Sequence, residues 1–573
     1  MSSQLREVFK YVLRNRKLFT LGVATRFLSI LLGMFIPMLI KNAIQSIMLL
    51  ESSKLTETAL WIVLLMFAEG FLFFVSRYIF EMVSQRSVYH MRLDLYRHLH
   101  DLSYSFYDRV DTGEILVRVT SDMDTINRFI RFFFMSLSTA SFSIGIALYF
   151  LLSIDVQLTL ITLIILPLIF ITVVIYTRLT DPILRRRWET LSGLNTSIEE
   201  YISGIKVLKA MGIEDYVAGF VKNSIYRLFS LNIKFAKRSS IMRPTLGLYT
   251  QMSQLIVLFL GGLLAINGVR NVGDIVAFLL YFGRLTWPMV MLGFFLSMYQ
   301  RAKISSTKVF EVMYLEPEIK ESKDAMPLKT VRGEIEFRNV TFGYEKGKPI
   351  VKSLSFKIAP GEKVAIVGGI ASGKSTILKL IPRFYDPWEG EILLDGIDIR
   401  RVRLNDLRSK IGIVHQDVIL FSGSIRDNIS YGKPSAKLPE IRRASEVAGI
   451  REFIESLPKK YNTIIGERGI TLSAGQRQRI SIARTILTDP KILILDDPTS
   501  NLDSETEERI LKALKKLMEN RTVIIVSQRP SMIRMADRIL VLKNGRIVEE
   551  GTHEELLSKR GEYFRLFQSW RES

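Results

Sequence analysis

Cysteine is absent from this chain of 573 residues, and histidine occurs only five times. The lack of thiols excludes disulfides, cysteine-ligated zinc, iron–sulfur clusters and thiol catalysis. Five histidines leave little material for a histidine-rich metal site. The sequence also contains no short-period repeat and no low-complexity tract.

Long apolar segments dominate the first half of the chain, which is 48% hydrophobic overall and carries a formal net charge of +21. A membrane-spanning helix needs about 20 predominantly apolar residues. Such a charge is typical of proteins that bind nucleic acid or anionic lipid. The spans favour the membrane, and we expect no nucleic-acid partner. Six segments pass the length test, near 18–46, 58–80, 132–154, 157–176, 244–267 and 274–299.

The connections between these spans alternate between short and long. The second long connection, 177–243, contains twelve lysines and arginines, whereas the short connections together contain two, Lys54 and Arg270. Positive charge accumulates on the cytoplasmic side of a membrane protein. The sequence therefore predicts a multi-pass protein of the cytoplasmic membrane, with its N-terminus, both long loops and everything after residue 300 in the cytosol.

A phosphate-binding loop follows in the second half. The segment Gly368–Ser375 fits the pattern G-x-x-x-x-G-K-[ST], between a predicted strand at Val364–Val367 and a predicted helix at Thr376–Leu380. Its backbone N–H groups and the helix N-terminus would face phosphate oxygens. Lys374 would reach the outer phosphates, and the Ser375 hydroxyl would hold Mg²⁺. The predicted nucleotide-binding residues here are Gly368, Gly369, Ile370, Ala371, Ser372, Gly373, Lys374, Ser375 and Thr376.

Two later segments add to this prediction. The apolar strand Ile492–Leu495 leads to Asp496, and a carboxylate at the C-terminal end of a strand can reach Mg²⁺. The string Leu472–Gln476 (LSAGQ) precedes a predicted helix at Arg477–Leu487. Ser473 is a favourable N-cap, and the N-terminus of this helix is a second anion site.

Together these segments resemble the nucleotide-binding domain of ABC transporters. LSAGQ is similar to the family signature LSGGQ, and Tyr344 matches the aromatic residue that stacks on adenine. Gln416 matches the glutamine that approaches Mg²⁺, Ser500–Asp503 matches the D-loop, and Gly466–Gly469 matches a loop that touches coupling helices in exporters. Six spans ahead of one such domain resemble a half-transporter of the ABC exporter type, over the whole chain.

The resemblance implies a multidomain architecture. An all-α six-helix transmembrane domain would cover 1–313, a linker 314–332, and an α/β P-loop ATPase domain 333–573. Within the membrane domain, Phe106–Glu114 and Met211–Tyr216 resemble the two coupling-helix regions of such exporters, although generic amphipathic loop helices would look similar.

The resemblance also implies ATP and Mg²⁺ as cofactors. In this family two nucleotide domains pair head to tail, so that each ATP lies between the phosphate loop of one and the signature of the other. The chain would therefore need a second half-transporter. Its expected metal ligands are Ser375, Gln416 and Asp496, and its expected contacts to the partner's ATP are Ser473, Ala474, Gly475 and Gln476.

Two catalytic positions depart from the family pattern. The glutamate that polarises the attacking water is replaced by Asp497, whose carboxylate is retracted by about 1.5 Å, and a 1 Å misplacement costs about 10²-fold in rate. The switch histidine is replaced by Gln528, which cannot carry a positive charge. With Gln416, these are the candidate catalytic residues. The pattern resembles the degenerate-site subunit of a heterodimeric bacterial or archaeal multidrug exporter, whose partner keeps Glu and His.

The main prediction is ATP-driven export of amphiphilic small molecules or lipids, by an ABC-type transport ATPase in contact with membrane lipid. A homodimeric lipid or peptide exporter is an alternative, in which Asp497 and Gln528 are slow but adequate. An ATP-gated channel or regulatory membrane subunit is another. A soluble DNA-repair or translation ATPase shares the nucleotide motifs, but the six spans argue against it.

Glu69 is a carboxylate in the middle of an apolar span. Because a charge in hydrocarbon costs about 2.5–3.5 kcal/mol, it should face a cavity or pair with a cation such as Arg26 or Arg284. It would then either attract cationic substrates or form an interhelical ion pair. Arg26 and Arg284 lie nearer span ends or helix breaks, where we expect them to snorkel.

Overall fold

The computed structural model describes residues 3–466, 472–499 and 504–572. The chain divides into two compact units. The first comprises Met1–Asp101 and Val110–Leu315, and the second comprises Leu102–Arg109 and Glu316–Ser573.

The first unit is built of helices, with a π-helical turn at Arg118–Asp122. Its helices are α1 (Ser3–Leu13), α2 (Arg16–Met48), α3 (Ser52–Asp101), α5 (Thr112–Val117), α6 (Met123–Ile154), α7 (Val156–Leu163), α8 (Ile165–Ser203), α9 (Ile205–Met211), α10 (Glu214–Ile266) and α11 (Val272–Met313).

Six helical stretches of the described chain are long and apolar enough to cross a membrane, as predicted. They are Arg16–Met48, Ser52–Asp101, Thr112–Ile154, Val156–Ser203, Glu214–Ile266 and Val272–Met291. Several are much longer than the apolar segments seen in the sequence. Helix α3 has 50 residues, so at 1.5 Å per residue it is about 75 Å long, whereas the hydrocarbon layer is about 30 Å thick. Its polar half therefore continues beyond the bilayer as a helix rather than as a loop.

Apolar side chains and a few specific hydrogen bonds hold the spans together. Tyr281 of α11 is buried, stacks on Phe150 with ring centroids 4.9 Å apart, and donates to the backbone oxygen of Met34 at 2.8 Å. At the short turn between α6 and α7, the Asp155 carboxylate caps α7 by accepting from the N–H of Leu158 at 2.9 Å. These two polar side chains are thus satisfied where they meet the helical core.

The second unit alternates strands and helices. Its strands are β1 (Ile335–Phe342), β2 (Val351–Ile358), β3 (Lys363–Gly368), β4 (Glu389–Leu394), β5 (Ile397–Asp398), β6 (Ile411–Val414), β7 (Gly423–Ser424), β8 (Ile464–Ile465), β9 (Ile492–Asp496), β10 (Thr522–Val526), β11 (Arg538–Lys543) and β12 (Arg546–Gly551). Its helices are α4 (Tyr104–Arg109), α12 (Lys374–Leu380), α13 (Leu404–Ser409), α14 (Ile425–Ser430), α15 (Leu438–Val447), α16 (Arg451–Ser456), α17 (Ala474–Thr488), α18 (Ser504–Met518), α19 (Pro530–Ile533), α20 (His553–Ser558) and α21 (Glu562–Glu572).

A six-stranded sheet of order β12-β11-β3-β10-β9-β6 forms the centre of this unit, and all neighbouring strands except β11 and β12 are parallel. Successive side chains of its strands enter two different cores. Val523 and Ile525 pack with the helices on one face, and Ile524 packs with the four-stranded sheet β2-β1-β4-β5 on the other. Burial on both faces explains why the central strand β10 is apolar at every position from Val523 to Val526.

Helix α4 belongs to the second unit although it lies between α3 and α5 in the chain. Asp108 accepts hydrogen bonds from Lys379 at 3.4 Å and from the hydroxyl of Tyr385. The ring of Tyr104 stacks on Phe384 with centroids 4.8 Å apart. The first part of the predicted coupling segment Phe106–Glu114 thus packs against the nucleotide-binding fold.

The second coupling segment, Met211–Tyr216, forms the junction of α9 and α10, which turns at Gly212 with φ of +66°. Its coupling role stays a prediction.

Candidate nucleotide site

The phosphate loop and the predicted residues Gln416, Asp496, Asp497 and Gln528 lie at one edge of the six-stranded sheet. Strands β3, β10, β9 and β6 are parallel neighbours, so their carboxyl ends meet there. Ligands bind open α/β sheets at this edge. The phosphate loop leaves β3, and the residues that follow the other three strands are Gln528, Asp496 with Asp497, and Gln416.

The phosphate loop has the backbone geometry of an anion cradle. Ala371 and Gly373 adopt positive φ angles of 59° and 106°, which turns successive N–H groups inward. Helix α12 begins at Lys374, two residues earlier than predicted, so its N-terminus opens directly onto the loop. At Gly368 a Cβ atom would lie 2.3 Å from the backbone oxygen of Leu542, so no larger residue fits there.

Lys374 lies inside this loop and holds its shape. Its ammonium group donates to the backbone oxygens of Gly368 and Gly369, both at 2.8 Å. Burial lowers the pKa of Lys374, and the negative charges of Asp496 and Asp497 oppose that shift. A cation held among loop carbonyls at this position fits the binding of phosphate oxygens.

The oxygen donors predicted for Mg²⁺ also lie at this edge. Ser375 is exposed at the start of α12, Gln416 is exposed after β6, and Asp496 is partly exposed at the end of β9. Burial raises the pKa of Asp496, the charge of His415 opposes this, and that of Asp497 adds to it. The described residues contain no cluster of three or more His, Cys, Asp or Glu side chains that could enclose a metal. A hydroxyl, an amide and one carboxylate instead fit Mg²⁺, which binds through one or two carboxylates and substrate phosphates.

Asp497 is held by the neighbouring strand. It adopts a positive φ of 44°, its N–H donates to the backbone oxygen of Val526 at 2.7 Å, and its carboxylate accepts from the hydroxyl of Ser527 at 2.8 Å. Sequence reasoning missed Ser527. The available signal was its place directly after β10, next to Gln528, where a polar residue reaches the same sheet edge.

Tyr344, which the sequence predicts to stack on adenine, is partly exposed beside α12. About a third of its surface, 36%, is exposed, and its hydroxyl donates to Thr376 of α12 at 3.4 Å. The ammonium of Lys379 lies 5.3 Å from its ring centroid, and the ring of Tyr385 packs edge-on at 5.3 Å. These residues line one side of a cavity of about 480 Å³ that Asp108 also lines. Lys379 and Tyr385 were not expected from the sequence.

The signature residues form the start of α17. Ser473 caps this helix, because its hydroxyl accepts from the N–H of Gln476 at 3.2 Å while the Gln476 side chain accepts from the N–H of Ser473 at 2.9 Å. A Cβ atom at Gly475 would lie 2.2 Å from a methyl carbon of Thr506, whereas Ala474 is exposed. Among the described contacts, these residues meet their own helix and α18 rather than the phosphate loop.

Two further predicted segments cannot be placed. Glu467–Gly469 of the exporter loop and Ser500–Asp503 of the D-loop lie outside the described residues.

Comparison with known families supports both units. The family model for the ABC transporter transmembrane region matches residues 19–289, and the model for the ABC transporter nucleotide domain matches residues 351–500.

Similar proteins cover nearly the full chain. The ATP-dependent lipid A-core flippase of Desulfotalea psychrophila is 37% identical over 506 residues, which are 88% of each chain. The candidate multidrug export ATP-binding/permease protein YgaD of Bacillus subtilis is 36% identical over 543 residues, which are 93% of each chain. The structure of a bacterial Atm1-family ABC exporter with ATP bound matches with a TM-score of 0.83 at 29% identity, covering 97% of this chain and 99% of that one. The chain therefore belongs to the ABC transporter family and is an ABC exporter half-transporter, with a helical transmembrane domain fused to an ABC ATPase domain.

Proposed function

We propose that this half-transporter exports amphiphilic small molecules or lipids across the cytoplasmic membrane, driven by ATP, with its nucleotide domain in the cytosol. Two similar proteins carry the names of a lipid A-core flippase and a candidate multidrug exporter. Lipids and drugs of that kind share an apolar body and a polar group. Six apolar helices and the cytosolic excess of lysine and arginine support the topology.

The chain's own ATP site is, in this proposal, a binding site that hydrolyses slowly. The observation that carries it is the position of Asp497, whose carboxylate is bonded to Ser527 at 2.8 Å. A general base must reach the proton it removes. The side chain of Asp497 is shorter than that of glutamate and is held by Ser527 at the end of β10. Its carboxylate therefore does not extend as far towards the attacking water as a glutamate carboxylate would.

Gln528 weakens the same site. It follows Ser527 at the end of β10 and is exposed at the sheet edge. An amide can donate one hydrogen bond to a γ-phosphate oxygen but does not add positive charge as the transition state forms. Both departures therefore affect the chemical step, while the groups that hold the phosphates remain.

The signature of this chain remains competent to act on a partner's ATP. Ser473 and Gln476 cap the helix, and Gly475 keeps the close approach to Thr506. The replaced position, Ala474, is exposed and meets no such constraint. We infer that the second half-transporter is a different chain that carries the catalytic glutamate and switch histidine.

Replacing Asp497 and Gln528 by the glutamate and histidine of the family pattern tests whether they slow ATP hydrolysis at this chain's own site. The purified chain alone should have low ATPase activity, and the double variant Asp497→Glu with Gln528→His should raise it by about 10²-fold, the cost of a misplaced catalytic group. Adding Lys374→Ala to that variant should abolish the gain. Robust ATPase activity of the unmodified chain would instead favour a homodimer.

Co-purification tests the partner. A tagged copy of the chain, isolated from its native membrane in mild detergent, should bring a second half-transporter in equal amount. Recovery of the chain with itself only would contradict the heterodimer and leave the export function to be judged by transport assays.

A further inference from the structure

The membrane unit contains a polar centre formed by Arg26 of α2, Glu69 of α3, Thr139 of α6 and Arg284 of α11. Arg284 and Glu69 form an ion pair at 3.5 Å. Arg26 donates twice to the hydroxyl of Thr139, at 3.0 and 2.9 Å. These contacts confirm that Glu69 pairs with a cation, which was one of the two alternatives drawn from the sequence. They also bring four of the spanning helices together at this centre.

The expected snorkelling of the two arginines was wrong. Arg26 lies ten residues into α2 and Arg284 twelve residues into α11, so at 1.5 Å per residue they are about 15 and 18 Å from the helix ends. The hydrocarbon layer is about 30 Å thick. Their side chains do not extend towards the helix ends because they donate to Thr139 and Glu69 on the neighbouring helices.

The polar centre carries more positive than negative charge. Its two guanidinium groups face one carboxylate, and Glu69 is paired with Arg284. Arg26 is only 9% exposed. Its guanidinium group donates to the neutral hydroxyl of Thr139 and lies over the ring of Phe73, with its central carbon 4.8 Å from the ring centroid. No carboxylate of the described residues lies within ion-pair distance of Arg26. Arg26 and Arg284 both interact with the charge of the single carboxylate Glu69, which leaves the centre with an excess of one positive charge. Ionisable residues within a membrane span mark candidate functional positions.

The centre is accessible as well as charged. The side chains of Arg284 and Glu69 are 32% and 30% exposed. Charged side chains at bilayer depth face the bundle interior or a water-filled cavity rather than lipid tails. Their pairing distance of 3.5 Å is long compared with about 2.7–2.9 Å for a close charge-assisted bond. A ligand oxygen can therefore approach Arg284 in competition with Glu69.

Gly33 makes room for this arrangement. A Cβ atom there would lie 2.4 Å from a carboxylate oxygen of Glu69 and 2.7 Å from a terminal nitrogen of Arg284. The absence of a side chain on α2 is what lets both charged groups reach the same point from two other helices.

We propose that this polar centre binds the anionic, phosphate-type headgroup of an amphiphile. The inference rests on the proposed export function and deepens it, because it assigns the charge of the substrate. Arg26 and Arg284 supply the positive charge, and Glu69 is an internal competitor that the headgroup displaces from Arg284. Met66 and Phe73 lie about one turn before and one turn after Glu69 on the same face of α3, where they offer apolar surface for the hydrocarbon chain.

Binding of matched probes to the purified full-length protein tests this site. Hexadecyl phosphate, hexadecyltrimethylammonium, hexadecanol and inorganic phosphate are titrated calorimetrically in neutral detergent without nucleotide. Hexadecyl phosphate should bind at least about tenfold more tightly than each of the others, the scale of one charge-assisted hydrogen bond. Equal binding of the three C16 probes, tighter binding of the ammonium probe, or equal binding of inorganic phosphate would overturn the proposal.

Variants then locate the site. Arg26→Gln and Arg284→Gln should each weaken hexadecyl phosphate binding about tenfold, and Glu69→Gln should strengthen it. Arg270→Gln is the matched control, because Arg270 pairs with Asp155 at 3.2 Å outside this centre. Unchanged binding in both arginine variants, or loss of binding in Glu69→Gln, would contradict the assignment. Arg26→Lys, which keeps the charge, retains the preference for phosphate over ammonium and replaces Arg26→Gln if that variant does not fold.

These measurements are independent of ATP hydrolysis. If hexadecyl phosphate binds but is never moved in proteoliposomes supplied with ATP, the export proposal fails and the site stands. If export proceeds without preference for the anionic probe, export stands and the site fails.

Discussion

The phosphate-loop side and the signature side of the nucleotide domain have changed in different ways. On the phosphate-loop side the departures, Asp497 and Gln528, fall on groups that would act on water and the γ-phosphate, while Lys374 keeps its place in the loop. On the signature side the departure, Ala474, falls on an exposed position, while Gly475 keeps a contact that no larger residue can make. In the proposed function, the first side binds ATP without fast hydrolysis, and the second completes the ATP site of a partner.

Breaking the signature side should have the largest effect. Gly475→Ala brings a Cβ to 2.2 Å from Thr506 and displaces the start of α17, so ATPase activity of the assembled transporter should fall by about 10²-fold or more. The control is Ala474→Gly at the exposed neighbouring position, which should leave activity unchanged. Similar activities for the two variants would show that this side contributes little.

Removing the phosphate-loop cation should have the next largest effect, and on binding rather than turnover. Lys374→Ala should weaken ATP binding to this chain by about 30-fold or more, because losing one partner of a charged pair costs about 2–5 kcal/mol. ATPase activity of the assembled transporter should fall by a smaller factor than with Gly475→Ala. The proposed mechanism would be refuted if the Lys374→Ala variant, expressed without a second half-transporter, transported substrate as fast as the unmodified chain.

The base-stacking residue should show an intermediate effect. Tyr344→Ala should weaken ATP binding about tenfold, since stacking of a base on an aromatic ring contributes about 1–3 kcal/mol. Tyr344→Phe keeps the ring and loses only the hydrogen bond to Thr376, so its binding should stay close to that of the unmodified chain. Fluorescence titration with an ATP analogue measures both, and equal losses would point to the hydroxyl instead of the ring.

A mild pH dependence should distinguish the loop lysine from an ordinary one. Burial lowers the pKa of Lys374, so its positive charge is present at neutral pH and is lost as the pH rises, earlier than for a solvated lysine of pKa about 10.4. Magnesium-free ATP binding should therefore decline severalfold as the pH rises, and it should begin to do so below the ordinary lysine pKa of about 10.4. Lys374→Arg, whose charge does not titrate in this range, should remove the decline. An identical decline in both proteins would assign it to another group.

Much of this protein follows from local patterns in its sequence. Long apolar runs predict six spans, because the hydrocarbon layer sets the length of a spanning helix. The apolar runs Val364–Val367 and Ile492–Leu495 predict strands whose carboxyl ends carry the phosphate loop and Asp496, where α/β sheets bind their ligands. The capping of α17 by Ser473 was also readable, because a cap depends on residues three positions apart.

The tertiary structure alone decided which distant side chains meet. The hydroxyl of Ser527, which follows β10, donates to the carboxylate of Asp497, which follows β9, and Gly475 packs against Thr506 of α18. The short segment Leu102–Arg109 groups with the nucleotide unit. In the membrane unit, Glu69 forms its ion pair with Arg284 rather than with Arg26. Arg26 instead donates to Thr139, 113 positions away in the sequence. Local periodicity specifies where helices and strands form, but such contacts depend on how those elements pack, and packing is decided by the whole chain at once.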